Sequence, residues 1–407
     1  MVGMRAELTP TRLGHWWQTG TMRKVVVLGS TGSIGRQALE VIAANPSRFK
    51  VVGLSSGGHS VPLLAQQTAE FGVPVVGVPS LDDSQRALLA ATGADVVVAN
   101  DANQQLASLD GVDVVLNAIT GAAGLLATLA ALKAGKTLAL ANKESLVIGG
   151  RLVMDAAADD QLVAVDSEHS AIAQALRAGR RDEVSKLILT ASGGPFRGMT
   201  RAQLAGVTPD QAMAHPTWQM GRVITINSAT LVNKGLELLE AGLLYNMALD
   251  DIQVVVHPQS VVHSGVEFCD GAAILQASPP DMKLPIALAL AWPSRLPGVA
   301  SGCDWTQAAQ WVFEPLDEVA FPAVAMARRA GLAGGTAPAV FNAANEVAVD
   351  AFCDHRLGFT GITDVIEQVL GRHLAAGHIG ENSMTLDAVL AADAWARQAA
   401  SGAVSSW

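Results

Sequence analysis

The run Lys24-Val25-Val26-Val27-Leu28 passes straight into Gly29-Ser30-Thr31-Gly32-Ser33-Ile34-Gly35, after which Ala38, Leu39 and Ile42 recur at helical spacing. A β-branched strand, a glycine turn and a helix in that order leave few folds open. They belong where a parallel sheet feeds a helix that packs back on it. Gly29 permits the turn, Gly32 lets a pyrophosphate approach the backbone, and Gly35 lets the helix lie close to the strand. The helix start adds its positive dipole end and free N–H groups, which makes residues 29–35 a dinucleotide-binding candidate. The spacing G-x-x-G-x-x-G departs from the commoner G-x-G-x-x-G, and its place after the first strand of the chain supports the reading.

Further strands are expected at 75–78, 96–99, 112–116 and 137–141, with Leu125, Leu129 and Leu132 marking a helix between two of them. Strands alternating with helices predict a doubly wound parallel sheet. The second strand, Val51-Val52-Gly53-Leu54, ends in Ser55-Ser56-Gly57-Gly58-His59, without the carboxylate that would bind a free ribose hydroxyl and repel a 2′-phosphate. NADP is therefore preferred over NAD, with Gly57, Gly58 and His59 as candidate contacts. Two other strands end in polar loops, Asn117 to Gly121 and Asn142-Lys143-Glu144-Ser145. Carboxyl ends of parallel strands are where such sheets bind ligands, so Asn142, Lys143 and Glu144 join the cofactor-side candidates, and Lys143 is placed to meet substrate or nicotinamide.

The valine-rich 163–165 runs into Asp166-Ser167-Glu168-His169. Read as extended backbone, Asp166 and Glu168 project from one face, where two like charges call for a cation, a shared proton or a basic partner. The strand 186–190 ends in Ala191-Ser192-Gly193-Gly194, a hydroxyl with two glycines suited to an anion nest. His215-Pro216-Thr217-Trp218-Gln219-Met220-Gly221 lacks any period and reads as a loop able to fold over a ligand. From Ser228 to Tyr245 a helix is expected, with apolar residues on both flanks of a polar strip of Asn233, Lys234, Glu237 and Glu240. Burying such a strip without partners is costly. Asp166, Glu168 and Glu237 offer three hard oxygen ligands for Mg2+ or Mn2+, while Ser192, Ser228, Asn233 and Lys234 offer hydroxyl, amide and ammonium groups to a phosphate. No histidine pair has zinc-site spacing.

Composition sets outer limits. Half the residues are apolar and 16% are charged, as in a compact globular protein. With 27 basic against 37 acidic residues the net charge is -10, which argues against nucleic acid as a main partner. Cys269, Cys303 and Cys353 lie far apart and in no CxxC spacing, as expected of a chain in a reducing, cytoplasmic compartment. No apolar run reaches the roughly 18 residues of a membrane helix. Residues 1–21 read as an N-terminal extension, or as sequence before a start at Met22, without the apolar centre of a signal peptide. Downstream, 252–264 suggests antiparallel strands with structural histidines, 296–315 a linker, and 316–407 a small helical domain with no evident chemistry.

In order along the chain, GSTGSIG, ANKESLV, VDSEHSAI, SGGPFR, HPTWQMG, NSATLVNKGLE and HPQSVVHS resemble the 1-deoxy-D-xylulose 5-phosphate reductoisomerase family, over about 24–400. The resemblance implies a Rossmann-like NADPH-binding domain (22–165), an α+β catalytic domain with a mobile loop (166–295), a linker, and a C-terminal helical bundle, in a cytoplasmic homodimer. It implies Asp166, Glu168 and Glu237 as ligands of one divalent cation, Mg2+, Mn2+ or Co2+. Ser192, Ser228, Asn233, Lys234 and His215 would hold the phosphate of a deoxy-sugar substrate, Ser167 and Lys143 its backbone, and Trp218 would close over it, with Gly221 on the cofactor side. Lys143, Glu168 and bound water are the candidates for moving protons. The family often has DSAT where this chain has Asn227-Ser228-Ala229-Thr230, and often a lysine in the loop of Gly57, Gly58 and His59. Two other readings remain at this level: a simple NADP dehydrogenase of a phosphorylated substrate, and a non-catalytic NADPH-sensing module. Neither requires three converging carboxylates.

Overall fold

The computed structural model describes residues 22–214 and 221–405. The N-terminal stretch 1–21 and the loop bearing His215 and Trp218 lie outside them. The first sheet contains β1 (Arg23–Leu28), β2 (Phe49–Ser55), β3 (Val75–Val78), β4 (Asp95–Val98), β5 (Val114–Asn117), β6 (Thr137–Leu140) and β7 (Leu162–Ala164). Their order is β4-β3-β2-β1-β5-β6-β7, and each neighbouring pair is parallel. Val25 to Leu28 are wholly buried, as a strand covered by helices on both faces requires. The order reverses between β1 and β5, so the loops after these strands open a crevice at the carboxyl edge. Gly29 turns there at φ +77°, and a β-carbon on it would lie 2.6 Å from the Ala118 carbonyl oxygen.

A second sheet is mixed: β8 (Val184–Ala191), β9 (Ile252–Val256), β10 (Val262–Phe268), β11 (Ala273–Ala277) and β12 (Glu314–Pro315), in the order β11-β10-β8-β9-β12. The antiparallel expectation holds for β10 against β8 and for β9 against β12, while β9 runs parallel to β8. The cause is the chain between them, whose helices Arg222–Ala229 and Val232–Leu244 form a crossover that brings β9 back in the same direction.

The C-terminal helices Ala323–Ala333, Ala337–Cys353, Phe359–Ala376 and Leu386–Val404 share one apolar core with the second sheet. Phe341, Phe352 and Ile366 are buried in it together with Leu236 and Leu239. The helix Lys283–Ala291 instead joins the first sheet, its Ile286 and Leu290 sharing an apolar cluster with Val25 and Val163. The architecture is α/β: a Rossmann-like sheet, a mixed sheet and a helical C-terminal region.

Two local expectations are corrected. Strand β7 stops at Ala164, and Asp166 is the N-cap of a helix, Ser167–Ala175, so the pairing of Asp166 with Glu168 does not come from a pleated strand. The expected helix from Ser228 to Tyr245 is two helices, broken where Leu231 takes φ +61°. Buried Leu231 keeps that left-handed conformation because its side chain is held in the core, 3% exposed.

Candidate active site

Asp166 owes its position to its capping role. Its Oδ1 accepts from the N–H groups of Glu168 (3.0 Å) and His169 (3.2 Å), as an N-cap carboxylate should, which leaves Oδ2 directed at the Lys143 ammonium 2.9 Å away. Lys143 is in the first turn of the helix Lys143–Gly149, after β6. That ammonium also donates to Asn233 Oδ1 at 2.9 Å and Glu237 Oε1 at 3.0 Å. Lys234 donates to Glu168 Oε1 at 2.7 Å and to Glu237 Oε2. Asn233 closes the circuit by donating to Glu237 Oε1 at 2.6 Å. Oxygen atoms of Asp166, Glu168 and Glu237 lie within 4.8 Å of one another.

The polar strip expected on Val232–Leu244 is buried as anticipated: Lys234, Glu237 and Glu240 are 4%, 1% and 1% exposed between Val232, Leu236 and Leu239. Burial alone would push the Asp166 carboxyl up, but Lys143, His169 and Lys234 outweigh it and hold it well below the usual range. Glu168 goes the other way, raised by burial and then by the nearby Glu237 charge. Burial disfavours the Lys143 ammonium, yet Asp166 and Glu237 more than compensate, so it stays protonated well above neutrality. Asp166, Glu168 and Glu237, held together by two ammonium groups, could hold a metal ion, and their all-oxygen donor set suits a hard divalent one.

A cavity of about 160 Å³ opens on this cluster. It is lined by Ser33 and Ile34 from the nucleotide turn, by Lys143, Asp166, Ser167 and Glu168, by Ser192, Ser228, Asn233, Lys234 and Glu237, and by Gly221. Asn142 and Glu144 do not line it. The Asn142 side chain caps the helix, accepting from Ser145 N at 2.7 Å and donating to the Gly121 carbonyl at 2.8 Å. Burial raises the half-buried Glu144 carboxyl to about 7. Ser30 is likewise occupied, donating to Gln67 at 2.8 Å beneath the turn. Gly32 and Ser33 are exposed at the first turn of the helix Ser33–Ala43, and Thr31 is half-buried beside them. Gly35 packs so tightly that a β-carbon would come 2.3 Å from the Gly29 carbonyl oxygen. Gly57, Gly58 and His59 stand at the carboxyl end of β2, next to β1 in the sheet. In the Ser192 loop the Gly194 N–H donates to Ser192 Oγ at 3.2 Å, which orients the hydroxyl and leaves a smaller nest than the two glycines suggested.

The sequence suggests no role for His169 and a structural one for His263. His169, fully buried, places Nε2 3.1 Å from Glu240 Oε2, and its carbonyl accepts from Tyr245 Oη at 2.8 Å. The pair braces the Asp166 cap against the Glu237 helix. His263 and Ser260 line the cavity wall. The i,i+3 step from Glu237 to Glu240 was a visible signal, whereas a partner 71 residues earlier was not.

Residues 25–150 match the 1-deoxy-D-xylulose 5-phosphate reductoisomerase family, 162–245 its C-terminal domain, and 277–399 the DXP reductoisomerase C-terminal domain. A 1-deoxy-D-xylulose 5-phosphate reductoisomerase of Cutibacterium acnes is 62% identical over 398 residues, covering 93% of this chain and 98% of that protein. The chain belongs to the 1-deoxy-D-xylulose 5-phosphate reductoisomerase family. The fold is similar to that of the 1-deoxy-D-xylulose 5-phosphate reductoisomerase of Zymomonas mobilis in complex with NADPH, with a TM-score of 0.86 and 42% identity over 95% of this chain and 100% of that one. It is also similar to DOX-P reductoisomerase in complex with NADPH, fosmidomycin and magnesium, with a TM-score of 0.87 and 36% identity over 94% and 98% of the two chains. Against the reductoisomerase pattern, Asn227 stands where the family often has aspartate, and here its Oδ1 accepts from Asn345 Nδ2 at 3.0 Å. An amide thus ties the helix Arg222–Ala229 to the C-terminal helices.

Proposed function

We propose that the chain performs its family's reaction, the NADPH-dependent conversion of 1-deoxy-D-xylulose 5-phosphate to 2-C-methyl-D-erythritol 4-phosphate, with one divalent cation. Asp166, Glu168 and Glu237 hold the cation, and magnesium, as in the related complex, is the first choice over Mn2+ or Co2+. Ser192, Ser228, Asn233 and Lys234 hold the phosphate, with His215 and Trp218 on the closing loop. In this reading 22–165 binds the nucleotide, 166–295 carries the chemistry, 296–315 links and 316–407 supports, in a cytoplasmic homodimer. No helix among the described residues is long and apolar enough to cross a membrane.

The observation that carries the reading is the convergence of three carboxylates and two ammonium groups on a cavity whose other wall is the nucleotide turn. A bound cation supplies Lewis acidity toward a ketone and its neighbouring hydroxyl, the polarisation that carbon–carbon cleavage and rejoining need. NADPH supplies the hydride that reduces the aldehyde so formed. The chain's own groups do the rest. Lys143 stays an ammonium and donates hydrogen bonds to substrate oxygens. Lys234, bonded here to Glu168 and Glu237, would turn its charge to the phosphate were those carboxylates to hold a cation. Val165, Val262 and Met282 in the wall keep water from the reacting carbons.

The test is NADPH oxidation on addition of 1-deoxyxylulose 5-phosphate, with and without Mg2+ after chelation. Metal-dependent oxidation with formation of the branched product supports the proposal, and its absence refutes it. A simple dehydrogenase would not need the carboxylate cluster, and a sensing module would bind NADPH without turnover. Light scattering tests the homodimer.

A further inference from the structure

The linker and the HPQSVVHS motif acquired no chemistry from the sequence, yet both touch the back of the site. Glu314, at the end of the linker, accepts from Arg197 Nη1 at 2.6 and 2.8 Å through its two carboxylate oxygens. Arg197 in turn lies under the Ser192 loop: a β-carbon on Gly193 (φ +83°) would fall 2.9 Å from Arg197 Cδ and 2.9 Å from Val256. On its other side the loop abuts the helix that carries Ser228, since a β-carbon on Gly194 (φ +67°) would fall 3.0 Å from the Ser228 carbonyl oxygen. The loop is therefore clamped between Ser228 and the Arg197 stem.

His257 makes the second tie. Its ring is wholly buried, with Nδ1 2.8 Å from the Val312 carbonyl oxygen and Nε2 accepting from the N–H groups of Val261 (3.2 Å) and Val262 (3.1 Å). Those partners place a ring proton on Nδ1 and an acceptor at Nε2. Its backbone N–H donates to the Ala191 carbonyl at 2.7 Å, one residue before Ser192. Phe313 stacks on the ring at 4.6 Å. One short stretch, Val312 to Glu314, is thereby bonded to both the Ser192 loop and the Ser260–His263 wall.

We infer that Arg197 and His257 are positioning residues which, anchored by 312–314, hold the Ser192 loop at the spacing a substrate phosphate requires. The inference rests on the assignment of Ser192 and Ser228 to the phosphate. An exposed ion pair adds little stability, so loss of Arg197 leaves the chain folded while the loop loses its floor. A displaced loop hydroxyl makes longer, poorer hydrogen bonds to a phosphate, which weakens substrate binding and leaves the reacting carbons untouched.

The experiment measures kcat, the KM for the phosphorylated substrate and the KM for NADPH in Arg197→Ala, Arg197→Lys, Glu314→Ala and the Arg197→Ala/Glu314→Ala double variant, with thermal midpoints alongside. Each alanine variant is expected to raise substrate KM about fivefold or more, with kcat and the NADPH KM within about twofold, because uniform binding is lost and the nucleotide side is untouched. The double variant should be no worse than the poorer single one, and Arg197→Lys, which keeps stem and charge, should recover most of the loss. His257→Gln, measured the same way, should move substrate KM in the same direction. An unchanged substrate KM in Arg197→Ala, additive losses in the double variant, or a parallel fall in kcat and NADPH affinity would overturn the inference. Calorimetric titration with inorganic phosphate separates it from the proposed activity: weaker phosphate binding in Arg197→Ala supports the positioning role even in a protein that does not turn over, and equal binding refutes it.

Discussion

The two walls of the cavity are built on opposite principles. On the nucleotide side the backbone does the work: Gly29 and Gly35 are set by contacts that no β-carbon allows, Ser30 and Asn142 spend their side chains on bracing, and the helix start at Ser33 offers N–H groups. On the carboxylate side the backbone is an ordinary cap and helix, and charged side chains carry everything. The first wall should tolerate changes of side-chain chemistry and fail on added volume. The second should tolerate small steric changes and fail on changes of charge.

The strongest test of that contrast is Glu237→Gln, which keeps shape and removes charge. It should lower activity by about a hundredfold or more at limiting metal and weaken Mg2+ binding by calorimetry, since ligand loss exceeds the 10–100-fold cost of losing an outer partner. Full activity at limiting metal would remove Glu237 from the ligand set. Next is Gly35→Ala, which adds one carbon at 2.3 Å from the Gly29 carbonyl oxygen. It should cost about 1–3 kcal/mol in a denaturant titration and abolish NADPH binding followed by fluorescence, while Mg2+ binding survives. Retained nucleotide affinity would break the contrast. Lys234→Ala should raise the substrate KM about tenfold, with a smaller fall in kcat; an unchanged KM would take Lys234 away from the phosphate.

The smallest effect concerns Glu144, next to Lys143 in the chain and outside the cavity lining. Its carboxyl is raised from 4.5 to about 7 in the folded chain, so folding takes up a proton between those values and the charged form is disfavoured above them. The carboxyl costs nothing below about pH 4.5, its penalty grows as pH rises from there to about 7, and it stays constant above that. Glu144→Gln should therefore gain thermal stability over the parent between about pH 5 and 8, by on the order of 1 kcal/mol after allowance for its partial exposure. A gain that shrinks with rising pH would contradict the raised value.

Legibility in the sequence followed the same divide. The parallel sheet was readable because β-branched runs, glycine turns and helical periods are local, and Val25 to Leu28 with their glycines needed nothing beyond neighbours. The carboxylate cluster was readable from residue types, although for a partly mistaken reason: Asp166 and Glu168 meet through a helix cap, a feature the Asp-x-Glu pattern before Ala171 and Ile172 also signals. The break at Leu231 was hidden, because a leucine at φ +61° is imposed by tertiary packing and has no local signature. His169 with Glu240, and His257 with Val312, pair across 71 and 55 residues, distances at which one sequence carries no information.

Lys143 and Lys234 reach into the space between the three carboxylates and neutralise most of their charge. In a structural zinc module the metal is the core, and stripping it unfolds the chain. Here the protein brings its own counter-charges, so a chelated preparation should stay folded and regain its ion on addition of Mg2+. On the proposed ligand assignment, metal would be needed for turnover alone, and competition between ammonium and cation for the same oxygens would make the ion readily exchangeable.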